Sequence, residues 1–126
     1  MRYQHLVEQF LERGVAFLPH NEAGIGEGVC ALMEDGQQEF WRVGVLGLLY
    51  ALARYHAVDI RALRQKYGQM IGRAQMVPLP ITGDCLLVPF KVRIPIGRQP
   101  SAGWMLVQHI RDVEELPGGC SLLRLS

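Results

Sequence analysis

Eleven consecutive residues, Val43 to Ala53, carry no charge. Such a run has to leave water, yet it is far too short to cross a bilayer, which takes about 20 apolar residues. It therefore predicts a buried helix, Val45 to Ala57, apolar on most of its sides. The rest of the chain has to supply a core around it. With 126 residues, 49% of them hydrophobic and 20% charged, one domain over 1–126 is expected, burying roughly two-thirds of its extended surface.

Local signals set the other elements. Leu6, Val7, Phe10 and Leu11 recur at helical spacing, so Tyr3 to Arg13 reads as a helix, with Gly14 placed for a left-handed C-terminal residue. Val15 to Leu18 suits a strand ended by Pro19, and His20 to Glu27 a loop. Asp35-Gly36 between the apolar runs Gly28 to Glu34 and Gln38 to Val43 marks a hairpin whose two turn positions are expected at positive φ. Asp59 is a good N-cap for a second helix, Ile60 to Ile71, with Ile60, Leu63, Tyr67 and Met70 as its inner stripe and Gly72 at its end. Beyond it the pattern turns to strands. Ala74 to Val77 is short and Pro78 and Pro80 bracket a loop. Asp84 to Arg93 is a strand that Pro89 assigns to an edge or bulge. Ile94 to Ala102 reads as a loop, and Gly103 to Ile110 and Ser121 to Leu125 as strands about a Pro117-Gly118-Gly119 turn. The expected class is α+β: a mostly antiparallel sheet with an N-terminal helix and a central pair of helices.

The net charge of +1 conceals a segregation. Met1 to Ala53 has three basic against seven acidic residues, giving −4; Arg54 to Arg98 has eight basic against two acidic, giving +6; the remainder has two against three, giving −1. The basic stretch includes Arg61, Arg64 and Lys66 on the second central helix, Arg73 just beyond it, Lys91 and Arg93 two apart on one strand face, and Arg98 in the following loop. Such asymmetry can mark a surface that meets nucleic acid; the plain alternative is a mixed, solvated surface. If the basic surfaces join, four to six neutralised phosphates imply a log–log salt slope of about −4 to −5.

Other chemistries find little support. Gly24-Ile25-Gly26-Glu27-Gly28 lacks the GxGxxG spacing and precedes a strand, so it has no helix N-terminus to hold a phosphate. His5, His20, His56 and His109 show no metal-ligand spacing, and there is no nucleophile elbow or Walker motif. Neither catalysis, nor a metal, nor a cofactor is expected. Cys30, Cys85 and Cys120 are odd in number and form no CxxC pair, which suits inert core thiols. Met1 to Gly14 mixes Arg2, Glu8, Glu12 and Arg13 with apolar residues, unlike a secretory leader; a cytoplasmic protein without a membrane segment is expected.

Val15-Ala16-Phe17-Leu18-Pro19, then Leu86 to Arg93, then Gly103-Trp104-Met105-Leu106-Val107-Gln108-His109-Ile110 together resemble the competence transcription factor (ComK-like) family. That family has an apolar strand ending in Leu-Pro, an apolar-Phe-Pro segment, a short Pro-containing loop and a Gly-Trp pair leading to His. The resemblance covers about Val15 to Val113. It departs in the inverted Pro89-Phe90, in Ile94 to Ala102 where the family has Ser and Thr, in an added N-terminal helix over 1–14, and in the lack of the family's C-terminal portion. It implies a small DNA-binding transcription regulator that reads AT-rich sites as a homo-oligomer without a cofactor. Arg61, Arg64, Lys66, Arg73, Lys91, Arg93 and Arg98 would then contact phosphates or enter a narrow minor groove. Trp104 and His109 match the family pattern, with a core role for Trp104 standing beside base contact.

Two other classes stay open. A protein-interaction or oligomeric assembly module would show an exposed apolar patch, near an edge strand at Pro89 for example. An enzyme or small-ligand binder would show a deep pocket lined by titratable groups, with His20, Glu22 and His56 as its candidates.

Overall fold

A computed structural model describes residues 2–73, 76–91, 102–116 and 120–125. The chain is α+β. Helix α1 (Arg2–Arg13) runs directly into β1 (Gly14–Glu22), followed by β2 (Gly26–Met33), β3 (Gln38–Trp41), α2 (Val45–Tyr55), α3 (Ile60–Ile71), β4 (Leu79–Thr82), β5 (Cys85–Lys91), β6 (Ala102–Leu106), a 3-10 turn at Val107–His109, β7 (Ile110–Leu116) and β8 (Cys120–Leu125). The first six strands form one antiparallel sheet in the order β3-β2-β1-β6-β5-β4; β7 and β8 pair separately. The two halves of the large sheet close where β1 meets β6, at Ala16 opposite Met105 and Phe17 opposite Trp104.

Strand alternation divides the apolar residues between the sheet's faces. Phe17, Val29, Ala31, Trp41, Leu79, Leu87 and Trp104 point to the main core, which also takes Val7 and Phe10 from α1, Leu48, Leu49 and Leu52 from α2 and Ile60 from α3. Phe10 meets Phe17 edge to face, ring centres 5.2 Å apart. Ala16 and Met105 face the other way, with Val88, Phe90 and Ile110 against them. The apolar run thus forms the expected buried helix, α2, although it ends at Tyr55 rather than Ala57. Among the described residues no helix is long and apolar enough to cross a membrane.

Several sequence expectations need correction. Gly14 begins β1 with no positive φ; it is small because a Cβ there would meet the Phe10 ring. β1 continues through Pro19 to Glu22, and β2 starts at Gly26, so the expected loop over 20–27 shrinks to a hairpin turn at 23–25. Pro19 is buried opposite Val29 of β2, past Ala16 and Phe17, where β1 pairs with β6. In the next hairpin Gly36 alone of the two turn residues has a positive φ, 83°. The Gly36 N–H donates to Met33 O at 2.9 Å and the Met33 N–H to Gln37 O at 2.9 Å, a three-residue loop ending in a left-handed glycine. The loop expected between Pro78 and Pro80 instead leads into Leu79–Thr82, the sheet's outer strand, where Pro80 is admissible. The strand expected over 103–110 stops at Leu106, and β7 was not anticipated. The strand expected over 74–77 is not observed at 76–77; residues 74–75 lie outside the described residues.

Candidate functional site

Helix α3 has the span its sequence predicts, because both ends are fixed locally. One Asp59 carboxylate oxygen accepts from the Arg61 N–H at 2.9 Å and the Ala62 N–H at 3.2 Å. At the other end Gly72 is left-handed, φ 69°, and the Arg73 N–H donates to Gly68 O at 2.8 Å, closing a Schellman turn. This turn folds Arg73 back over the helix. Gly68 permits it: a Cβ there would meet the Arg73 carbonyl oxygen. Ile60 and Leu63 join the core as expected, and Tyr67 is half-buried. Met70 does not belong to the inner stripe: it is 70% exposed, and Ile71 is 50% exposed, because the end of α3 runs past the core.

The fold-back gives α3 an open concavity of about 580 Å³ lined by Arg61, Arg64, Gln65, Gln69 and Arg73 together with Gly68 and Gly72. Arg61 also lines a neighbouring concavity at the α2–α3 joint, about 510 Å³, with Arg54, Tyr50 and Asp59. Among the described residues no carboxylate lines the first concavity, and the Asp59 oxygen beside the second is engaged in capping. The ion pairs found among the described residues lie elsewhere, Arg13 with Asp35 at 3.6 Å and with Glu39 at 3.5 Å; His20 Nε2 lies 2.8 Å from Glu22 and His109 Nε2 3.6 Å from Glu34. Asp35 and Glu39 of the N-terminal half thus engage Arg13, while no ion pair among the described residues involves Arg61, Arg64 or Arg73. Arginine suits an anion here, since its planar fork binds a phosphate or carboxylate through two parallel hydrogen bonds.

The candidate residues therefore divide. Arg61, Arg64 and Arg73 converge on one surface. Lys66 is exposed on the adjoining flank of α3, its ammonium 5.5 Å from the Tyr67 ring centre. Lys91 is exposed at the end of β5, opposite Ala102, and is not part of the concavity. Arg93 and Arg98 lie outside the described residues. Trp104 is buried in the main core, opposite Phe17 and Pro89, which assigns it to packing rather than contact. His109 is half-buried in the 3-10 turn and faces Glu34 of the β2–β3 hairpin. Sequence reasoning missed Arg54, Gln65 and Gln69; the two glutamines could have been found by projecting α3 down its axis.

The residues named for a small-ligand pocket do not form one. His20 and Glu22 pair on the exposed end of β1, while His56 Nδ1 lies 3.0 Å from Leu52 O at the end of α2. Among the described residues no group of three or more His, Cys, Asp or Glu is arranged to hold a metal ion. Burial pushes the Cys85 thiol up from its ordinary value; Cys30 is raised by burial first and by the Glu22 carboxylate second. Both thiols therefore stay protonated and weakly nucleophilic near neutral pH. Comparison with protein-family models, with curated proteins and with solved structures found no significant match to this chain.

Proposed function

We propose that this chain is a small DNA-binding transcription regulator that grips the phosphate backbone with α3. The observation that carries the reading is the convergence of Arg61, Arg64 and Arg73 on one concavity with no carboxylate among the described residues of its lining. Lys66 extends the positive surface along the helix. The resemblance of Leu86 to Arg93 and Gly103 to Ile110 to competence transcription factors points the same way; most of these residues lie on the paired strands β5 and β6. Three cations on α3 and Arg73 just beyond it neutralise about four phosphates, giving a log–log salt slope of about −3 to −4.

The test is fluorescence anisotropy of the whole chain with an AT-rich and a GC-rich duplex across a salt series. Binding that weakens steeply with salt supports the reading, and preference for the AT-rich duplex supports its resemblance to the competence regulators. No binding to either duplex at low salt removes it.

A second reading, an assembly module or homo-oligomer, draws on Met70 and Ile71, exposed by 70% and 50% at the end of α3. Large apolar side chains left in water often mark contact surfaces. Sedimentation velocity checks this: a monomer at every concentration, unchanged by Met70→Ser, removes the homo-oligomer.

A further inference from the structure

We infer that α3 enters the DNA major groove and that Gln65 and Gln69 read adenine there; this rests on the DNA-binding reading above. Ile60, Leu63 and Tyr67 turn α3 toward the core. At roughly 100° per residue, Gln65 and Gln69 fall on the opposite side, the crest of the helix, one turn apart. Both are exposed. Arg61 and Arg64 run along one flank of that crest and Lys66 along the other, while the Schellman turn returns Arg73 to the end of the same surface. The helix carries no acidic residue. Two amide side chains on the crest between cationic flanks match the division of labour at a duplex: flanking cations meet the phosphates on either side of the groove, and crest side chains reach the base edges.

Groove size and chemistry select the site. An α-helix is about 10–12 Å across, so it fits the major groove, about 12 Å wide, and not the minor groove, about 6 Å wide. A glutamine amide matches adenine, donating to N7 and accepting from the N6 amine. Guanine offers acceptors at both O6 and N7, so a glutamine amide laid against that edge in the same two-point manner sets its carbonyl oxygen against an acceptor. The α3 surface therefore favours adenine through the major groove, in addition to any readout by arginine.

The experiment enriches duplexes from a randomised library with the whole wild-type chain, then measures affinity for the enriched sequence. In the first arm, 7-deazaadenine replaces adenine, deleting the major-groove N7 acceptor while keeping base pairing and the minor groove. In the second, Gln65→Ala/Gln69→Ala is compared with wild type for the enriched and a scrambled duplex. Expected are an adenine-containing motif, a loss of roughly 5- to 150-fold on deaza substitution at a contacted adenine, and a double variant that loses sequence preference with an unchanged salt slope. Salt-dependent binding with no enriched motif, or a motif insensitive to both changes, overturns this inference and leaves the DNA-binding reading standing. Absence of any duplex binding removes both.

Discussion

Helices α2 and α3 are joined by four residues and have nearly equal lengths, yet they solve opposite problems. α2 buries Val45, Leu48, Leu49, Ala51, Leu52 and Ala53 and has no side chain capping its N-terminus. α3 buries Ile60 and Gly68 alone among its residues and is held at both ends by local chemistry, an aspartate cap and a left-handed glycine. Tertiary burial stabilises the first over most of its surface; the second adds its caps to the packing of Ile60 and Leu63, which leaves the rest of its surface to carry arginine and glutamine. Even their shared ending differs. α2 also closes in a Schellman turn, the Val58 N–H donating to Ala53 O at 2.8 Å and the Ala57 N–H to Arg54 O at 3.0 Å, but the left-handed position holds Ala57, φ 57°. Glycine is admitted there without steric cost, and alanine is not.

The largest contrast is expected from side-chain truncation. Leu52→Ala in α2, fully buried, lowers unfolding free energy by about 2–5 kcal/mol in urea titration. Met70→Ala in α3, 70% exposed, changes it by less than about 0.5 kcal/mol. A large loss at Met70 would show that α3 is packed against something in solution and would break the comparison.

A reversal of sign is expected next. Gly→Ala inside a helix ordinarily stabilises by about 1 kcal/mol. At Gly68 it destabilises, because the new methyl meets the Arg73 carbonyl and opens the Schellman turn; the same substitution weakens duplex binding by displacing Arg73. Thermal unfolding together with anisotropy reads both effects. Smaller and opposite shifts are expected at the two left-handed positions: Ala57→Gly raises stability by about 0.5–1 kcal/mol and Gly72→Ala lowers it by a similar amount. Equal responses at the two positions would contradict the assignment of both turns.

What was legible in the sequence follows from how local each signal is. The bounds of α3 could be read because Asp59 and Gly72 act within one turn of the helix. The buried α2 could be read because eleven uncharged residues leave no other place for them. Strands carrying proline misled: β1 continues through Pro19, and Pro80 is admissible only by its place in the sheet, which no local pattern encodes. β7 escaped because Arg111, Asp112, Glu114 and Glu115 make it look like a polar connection. Charge segregation pointed to the basic region, but not to which cations meet. Arg73 joins Arg61 and Arg64 through the fold-back over Gly68, whereas Lys91 sits on another element.

The most direct test of a solvent-facing, phosphate-gripping α3 is the salt slope of duplex binding for Arg61→Ala/Arg64→Ala/Arg73→Ala beside wild type, with the urea midpoint of each measured in parallel. The account predicts a slope shallower by about 2 to 3 and an unchanged midpoint. An unchanged slope in a variant that folds as well as wild type would contradict it.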